Sequence, residues 1–429
     1  MDFCRRKLSL ALWILGLGLA LGLIWHGYQG GVLHKTYPYN TFLYNPDIRG
    51  SDFTVGTAYL AHQNPYRAGC NYFPAANFVF SFYSLLPHAI RTYLFLAATF
   101  LGLWSILSLS LLKLVPHSGW RFATGALLMS TYPILLCLDR GNIEILVAFF
   151  VAAFCFCYAR KKFLLGLCFL VPAICFKFYP VVLLLLFVRR RFLLWPFAAV
   201  AAFVLISLGG MLTYPDSVVE SCRLLVDQFS AYNNRVNLDF NGYAASAGGW
   251  NCFRLAVFFV YSFGDWYWPM PPDMVKETLQ CYSLIMACLG LYLAAHVVLV
   301  ETTFARRAIL LLLYMTVSAP GGADYKLMHV EIALVILLLV KERRPGDLWA
   351  VGALAFCLIP KKEVFLTFMG ITDSIHADAS IGIILNPLCV LLAMGLLVRS
   401  GYRKGTATYS RRHLVALTWP LRRLVSRPA

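Results

Sequence analysis

The chain has 429 residues, 60% hydrophobic and 13% charged, with a formal net charge of +17. About a quarter of an ordinary soluble domain is charged, so this composition excludes one and places the chain in a bilayer. The positive excess does not indicate a nucleic-acid partner, because the basic residues sit in short clusters at the ends of apolar runs, as membrane topology requires.

The first apolar run, Leu8 to Ile24, follows Arg5, Arg6 and Lys7. No small-residue cleavage site follows it, so it is read as a span and not a signal peptide. Further segments lie at roughly 92–114, 122–138, 143–158, 163–176, 180–188, 193–211, 279–299, 308–319, 327–340, 348–360 and 381–398. The expected fold is all-α, a polytopic membrane protein of about twelve transmembrane or re-entrant helices. One membrane domain covers residues 1–400, and a basic tail covers 401–429. Runs of ten to fourteen residues are short for lone spans, so some should be broken or re-entrant helices buried against neighbours.

Orientation follows from Lys and Arg. Arg5 to Lys7, Arg160 to Lys162, Arg189 to Arg191, Arg306-Arg307, Lys341 with Arg343-Arg344, and the tail from Arg399 fall on one side, which puts both termini in the cytoplasm. Of the 20 Asp and Glu residues, all but Asp2, Glu301, Glu342 and Asp347 fall at or near the other face. That outer face carries the long loops, about 25–91 and 212–278, and the chemistry is sought there.

In the first outer loop, Ser51-Asp52 opens a run, Phe53 to His62, expected to form a short interfacial helix ended by Asn64-Pro65. Asp52, Val55, Gly56 and Tyr59 share a face of it, and Gly56 leaves room beside the carboxylate for a reacting hydroxyl. Asp52 could equally be an N-cap. Asp139-Arg140-Gly141-Asn142 and Glu144 interrupt two apolar runs at the outer boundary, where ionisable residues are costly unless paired or facing a cavity. An Asp139–Arg140 or Glu144–Arg140 ion pair closing a hairpin is one reading; a guanidinium placed to meet a phosphate is the other. Phe163 to Val188 has basic clusters at both ends, so it should be a hairpin with Lys177 at its apex, below the outer surface and facing headgroup phosphates.

The second long loop holds Trp250, Trp266 and Trp268, interfacial belt residues or sugar-stacking planes. Pro320 to Lys326, followed by His329 and Glu331, is a flexible polar turn heading another span. It either reverses the chain or cradles a phosphate through Lys326 and a sugar through Asp324 and Tyr325. Cys70, Cys222 and Cys252 fall in outer loops, where a disulfide among them is conceivable; no cysteine spacing suggests a metal. The tail from Ser410 interleaves apolar residues with basic pairs and suits either solvent or an anionic leaflet. Glycine-rich nucleotide-binding patterns, an Asp-x-Asp in the first outer loop, His-Glu-x-x-His and serine-hydrolase patterns are absent.

Four stretches, SDFTVGTAYLAHQNPY, LDRGNIEILVAFFVAAF, CFKFYPVVLLLLFVRRRF and PGGADYKL, resemble the GT-C superfamily of membrane glycosyltransferases that use polyprenyl-phosphate sugars, most closely glycosyltransferase family 87. The likeness covers about the first half of the chain well and the rest mainly in hydropathy. Arg140-Gly141-Asn142 departs from the common Gly-Gln-x-Asn form. The resemblance implies an inverting transferase in which Asp52 activates an acceptor hydroxyl. The lipid phosphate is already a good leaving group, so the residues needed are a carboxylate for the acceptor's proton and cations for the phosphate.

Asp52 is therefore expected as base, with Arg140, Lys177 and Lys326 at the donor phosphate and Tyr59, Asn142, Glu144, Asp324 and Tyr325 around the substrates. No metal or other cofactor is needed, though a divalent ion bridging phosphate and carboxylates stays open. The expected reaction moves a hexose or pentose, mannose among them, from a polyprenyl-phosphate donor to a glycan or glycolipid. Its expected place is the outer face of a bacterial inner membrane, since the outer loops carry no Asn-x-Ser/Thr sequon. The rivals are a secondary transporter or flippase lined by Arg140, Lys177 and Glu144, against which no inverted repeat is visible, and a polymerase or ligase of lipid-linked glycans.

Overall fold

A backbone crossing lipid has to satisfy its own polar groups, which leaves helices as the only economical element for a chain of this hydropathy. The computed structural model describes residues 2–36, 40–43, 52, 64–85, 88–111, 118–188, 194–238, 249–261, 272–318, 324–361, 365–369 and 376–402. The expected interfacial helix at Phe53 to His62 with its Tyr59, as well as Trp266, Trp268 and the tail from residue 403, lies outside the described residues.

The helices are α1 (Asp2–Gly27), α2 (Pro74–Ser84), α3 (His88–Leu111), α4 (Ser118–Met129), α5 (Tyr132–Arg140), α6 (Glu144–Ala159), α7 (Phe163–Phe176), α8 (Leu185–Val188), α9 (Leu194–Met211) and α10 (Val218–Leu238). They continue as α11 (Gly249–Tyr261), α12 (Pro272–Ala295), α13 (Phe304–Ser318), α14 (Met328–Leu339), α15 (Asp347–Cys357) and α16 (Gly382–Tyr402). Each of the twelve expected segments falls on helix, so the membrane body is all-α. The helices α2, α10 and α11 lie in the long outer loops.

Two departures have physical causes. The segment expected as one span at 122–138 is broken: α4 and α5 meet at 59° across Ser130-Thr131, where Pro133 stands in the first turn of α5 and cannot continue the preceding ladder. In the loop after α15, β1 (Phe365–Met369) and β2 (His376–Ser380) form an antiparallel ribbon with Phe365 opposite Ser380. The aromatic and β-branched content of Phe365 to Phe368 favours strand.

Among the described residues, four helices are long and apolar enough to cross a membrane unaided: Asp2–Val32, Leu194–Met211, Asp273–Val300 and Gly382–Tyr402, with the bent α4–α5 pair a fifth if taken as one span. The long helices expose apolar side chains such as Trp13, Leu17, Phe197 and Leu205, as a lipid-facing surface must. The short ones make the centre. In α14 only Ile336 and Leu339 are not fully buried, which fits a helix apolar all round. Small residues bring backbones close: a Cβ added to Gly18 of α1 would sit 2.3 Å from Ile359, and one added to Gly22 would sit 3.0 Å from Pro360.

The hairpin expected at Phe163 to Val188 is present. Its ascending leg is α7 and its return is a 3-10 segment, Tyr179–Leu184, that runs into α8. A 3-10 turn rises about 2.0 Å per residue against 1.5 Å for α, so ten residues descend nearly as far as fourteen climb. Carbonyls left over at this irregular return are bonded by others: Arg307 donates to Leu185 O and Leu186 O at 3.1 and 3.3 Å, and Tyr158 Oη to Leu186 O at 2.7 Å.

The basic clusters at the opposite end from Lys177 are more than topology markers. Lys7 is buried and donates to Leu337 O and Val340 O at 2.5 and 2.6 Å. Arg306 meets Asp347 at 2.9 Å, and Arg344 meets Glu301 at 2.6 Å and Glu342 at 3.0 Å. Three of the four acids that fell on the basic side are thus its counter-ions.

At the end of the bundle that carries Asp52 the two long loops are tied together. Arg67 grips Asp216 with two bonds of 2.8 and 2.9 Å, and Asn64 donates to Asp216 at 2.7 Å. These bonds hold the half-buried Asp216 carboxyl below its ordinary range. Cys70, Cys222 and Cys252 are free thiols, so the disulfide considered among them is not formed. Trp250 is no belt or stacking residue; it is buried against Tyr282.

The buried Arg306–Asp347 pair yields a stability test. Arg306→Ala leaves Asp347 uncompensated and should cost about 3–5 kcal/mol, read as a fall in the thermal unfolding midpoint in detergent. Adding Asp347→Asn should recover part of the loss.

Candidate active site

Asp52 reaches across from the first outer loop to the turn between α5 and α6. Its Oδ2 lies 2.7 Å from Arg140 Nε and accepts a hydrogen bond from Asn142 Nδ2. The turn that presents these groups is built by Gly141, whose φ of +70° ends α5 in the left-handed region. Gly141 N bonds Leu138 O at 3.1 Å and Asn142 N bonds Cys137 O at 3.1 Å, which closes the last turn. Asn142 then serves two neighbours, since its Oδ1 accepts from Glu144 N at 2.9 Å while its amide faces Asp52.

Glu144 begins α6 and Lys177 follows α7, and the antiparallel hairpin brings them to 3.3 Å. The carboxylate is fully buried, and His329 of α14 reaches it through Nε2 at 2.9 Å. Tyr179 Oη also bonds Glu144 and stands 3.0 Å from His329 Nε2. With its proton on Nε2, His329 donates to Glu144, so the acid is held from three sides.

Tyr325 and Lys326, in the 3-10 turn that heads α14, enter the same place. Tyr325 lies between the two outer cations, its ring centre 5.4 Å from the Arg140 guanidinium and 5.7 Å from Lys177 Nζ. Tyr72 offers a second ring to Lys177 at 5.8 Å, and Lys326 sits 5.0 Å from the Tyr179 ring. Tyr132 Oη donates to Asp324 Oδ2 at 2.7 Å, and Thr131 Oγ1 to Glu331 Oε2 at 2.7 Å, so the α4–α5 break is fastened to this segment.

Seven of the nine residues chosen from sequence therefore stand in one cluster: Asp52, Arg140, Asn142, Glu144, Lys177, Tyr325 and Lys326, while Asp324 is bonded by Tyr132 at the other end of α5. Tyr59 lies outside the described residues. Two sequence readings need correction. Lys177, expected to face headgroup phosphates, is the partner of Glu144, because a hairpin places its apex beside the start of the helix its ascending leg packs on. The Glu144–Arg140 pairing is not formed either, since Arg140 turns to Asp52. Sequence reasoning left His329, Tyr179 and Tyr72 without roles. The signal for His329 was an imidazole inside an apolar run one helical turn after Lys326; for Tyr179 it was proximity to Lys177.

Three cations and two carboxylates thus stand together with aromatic rings at one end of the bundle. The sequence profile of glycosyltransferase family 87 matches residues 71–360, more than half of the chain. The chain belongs to glycosyltransferase family 87.

No curated protein and no solved structure matches it. The match takes in every cluster residue from Tyr72 to His329 and begins after Asp52. Family membership makes this a membrane glycosyltransferase, so the transporter or flippase reading is not carried further. Among the described residues, no group of three or more His, Cys, Asp and Glu side chains is arranged to hold a metal ion.

Gly141→Ala tests how far the turn matters to the transferase. A left-handed alanine should cost about 1–2 kcal/mol in thermal unfolding. Turnover should fall by more than the small unfolded fraction explains, because Arg140 and Asn142 shift together.

Proposed function

We propose that the transferase moves a hexose or pentose, mannose among them, from a polyprenyl-phosphate donor to a glycan or glycolipid hydroxyl at the outer face, with inversion at the anomeric carbon. The observation that carries this reading is the meeting of Asp52 with Arg140 at 2.7 Å, in one cluster with Lys177, inside a chain of a glycosyltransferase family.

On this reading Arg140 has two partners in turn. Without donor it neutralises Asp52; when the donor phosphate arrives, the guanidinium turns to its oxygens, for which a planar fork is suited. Asp52, still oriented by Asn142, is left to accept the acceptor's proton. The acceptor oxygen forms a bond to the anomeric carbon while that carbon's bond to the phosphate oxygen breaks. The electron pair leaves with polyprenyl phosphate, whose charge Arg140, Lys177 and Lys326 stabilise as it develops. Glu144, His329 and Tyr179 keep Lys177 in place, and Tyr325 with Tyr72 supplies flat faces for a sugar ring. No acid is required, because the leaving phosphate is a weak base.

The orientation in this proposal rests on the basic clusters. They gather at the end of the bundle away from Asp52, which supports a site on the extracytoplasmic face with both termini cytoplasmic, the proposed membrane being a bacterial inner membrane.

Asp52→Asn should lower kcat by about 10²–10⁴-fold, the usual yield of a general base, in detergent with a polyprenyl-phosphate sugar and a lipid acceptor. Turnover equal to the parent would retire Asp52. Lys177→Ala should raise the donor KM and leave the acceptor KM near its parent value; equal shifts in both would remove Lys177 from the phosphate.

A further inference from the structure

At the end of the bundle remote from Asp52, α3, α6, α13 and α14 enclose a cavity of about 380 Å³. Its walls are apolar, formed by side chains such as Leu107, Ala152, Cys155, Ile332 and Val335, and Arg160 stands at its exposed end. On α14 the lining runs from Ile332 to Val340 and on α6 from Ala152 to Arg160. Each stretch is eight residue steps, about 12 Å at helical pitch, most of the roughly 15 Å depth of one leaflet's hydrocarbon.

The cations beside this opening differ from the buried ones of that end. Lys7, Arg306, Arg307 and Arg344 are buried and each is matched by a carboxylate or by backbone carbonyls. Arg160, Lys161 and Lys162 are exposed and, among the described residues, meet no carboxylate. The Arg160 guanidinium stands over the Phe156 ring at 3.4 Å, and Lys161 takes a left-handed φ of 62°, in a turn of three consecutive cations beside the opening. An apolar slot one leaflet deep, headed by unmatched cations at the membrane boundary, is complementary to a molecule with an acyl chain and an anionic head.

We propose that this cavity holds one acyl chain of an anionic phospholipid from the leaflet opposite the Asp52 site, with the lipid phosphate against Arg160, Lys161 and Lys162. The assignment is independent of the sugar-transfer chemistry, because none of these residues belongs to the Asp52 cluster. Bound there, the lipid would fill the space between α3, α6 and α14 and couple the packing of this end to the composition of the leaflet.

The test is a lipid titration of the full-length protein in detergent, followed by native mass spectrometry, using phosphatidylglycerol and phosphatidylcholine with the same chains. The parent should bind one phosphatidylglycerol about tenfold more tightly than phosphatidylcholine. The triple variant Arg160→Gln, Lys161→Gln, Lys162→Gln, which alters only exposed side chains, should still bind one lipid but without the preference. Ala152→Phe, which fills the cavity, should bind neither. Equal affinity of the parent for the two lipids overturns the proposal, as does a preference that survives the triple variant. Lipid binding unchanged in a folded Ala152→Phe protein also overturns it, and the triple variant keeps the test decisive should Ala152→Phe fail to fold.

Discussion

A charged group held at the edge of a bilayer must be matched, because water is no longer there to solvate it. In this chain the match is made between distant stretches of sequence. The carboxylate of Asp52 comes from a loop and the guanidinium of Arg140 from the end of a helix, and they meet at 2.7 Å with Asn142 on the same oxygen. Glu144 and Lys177 repeat the arrangement one layer further in, with His329 and Tyr179 completing the shell of the acid. Such pairs need not add net stability. What they give is register: each can form only if the loop, the α5–α6 turn, the α6–α7 hairpin and the head of α14 are in one relative position.

The same economy shapes the bundle. Long helices with apolar flanks face outward, while the short, uniformly apolar ones that could not cross lipid alone are packed at the centre and carry the polar residues at their ends. Close approach at Gly18 and Gly22 seats α1 against the end of α15, and buried ion pairs lock the remote end. A far end closed by ion pairs and a polar near end are joined by short helices in a chain of a glycosyltransferase family.

Much of this was legible in the sequence. Hydropathy places a helix wherever the backbone must enter lipid, so the twelve segments were readable, and polar residues interrupting apolar runs marked Arg140, Asn142, Glu144 and Lys177. Partnership was not legible, because it depends on which helix ends share a layer. Lys177 had no visible counter-ion until the hairpin placed it beside Glu144. Glu301, Glu342 and Asp347 looked like exceptions to an outward bias of acids until Arg306 and Arg344 proved to need them. The 59° break at Ser130-Thr131 leaves no mark in hydropathy, since both arms are apolar. The contact of His329 and Tyr179 with Glu144 came from the third dimension.

The central claim is that Arg140 exchanges the Asp52 carboxylate for the donor phosphate. A structure of the full-length protein in nanodiscs with a non-transferable polyprenyl-phosphate sugar analogue tests it most directly. The account requires the phosphate within hydrogen-bonding distance of Arg140 and Lys177, with the Asp52 oxygens turned from the guanidinium toward the acceptor side of the anomeric carbon. A phosphate bound elsewhere, or an Arg140 still closed on Asp52 with the analogue in place, would contradict it.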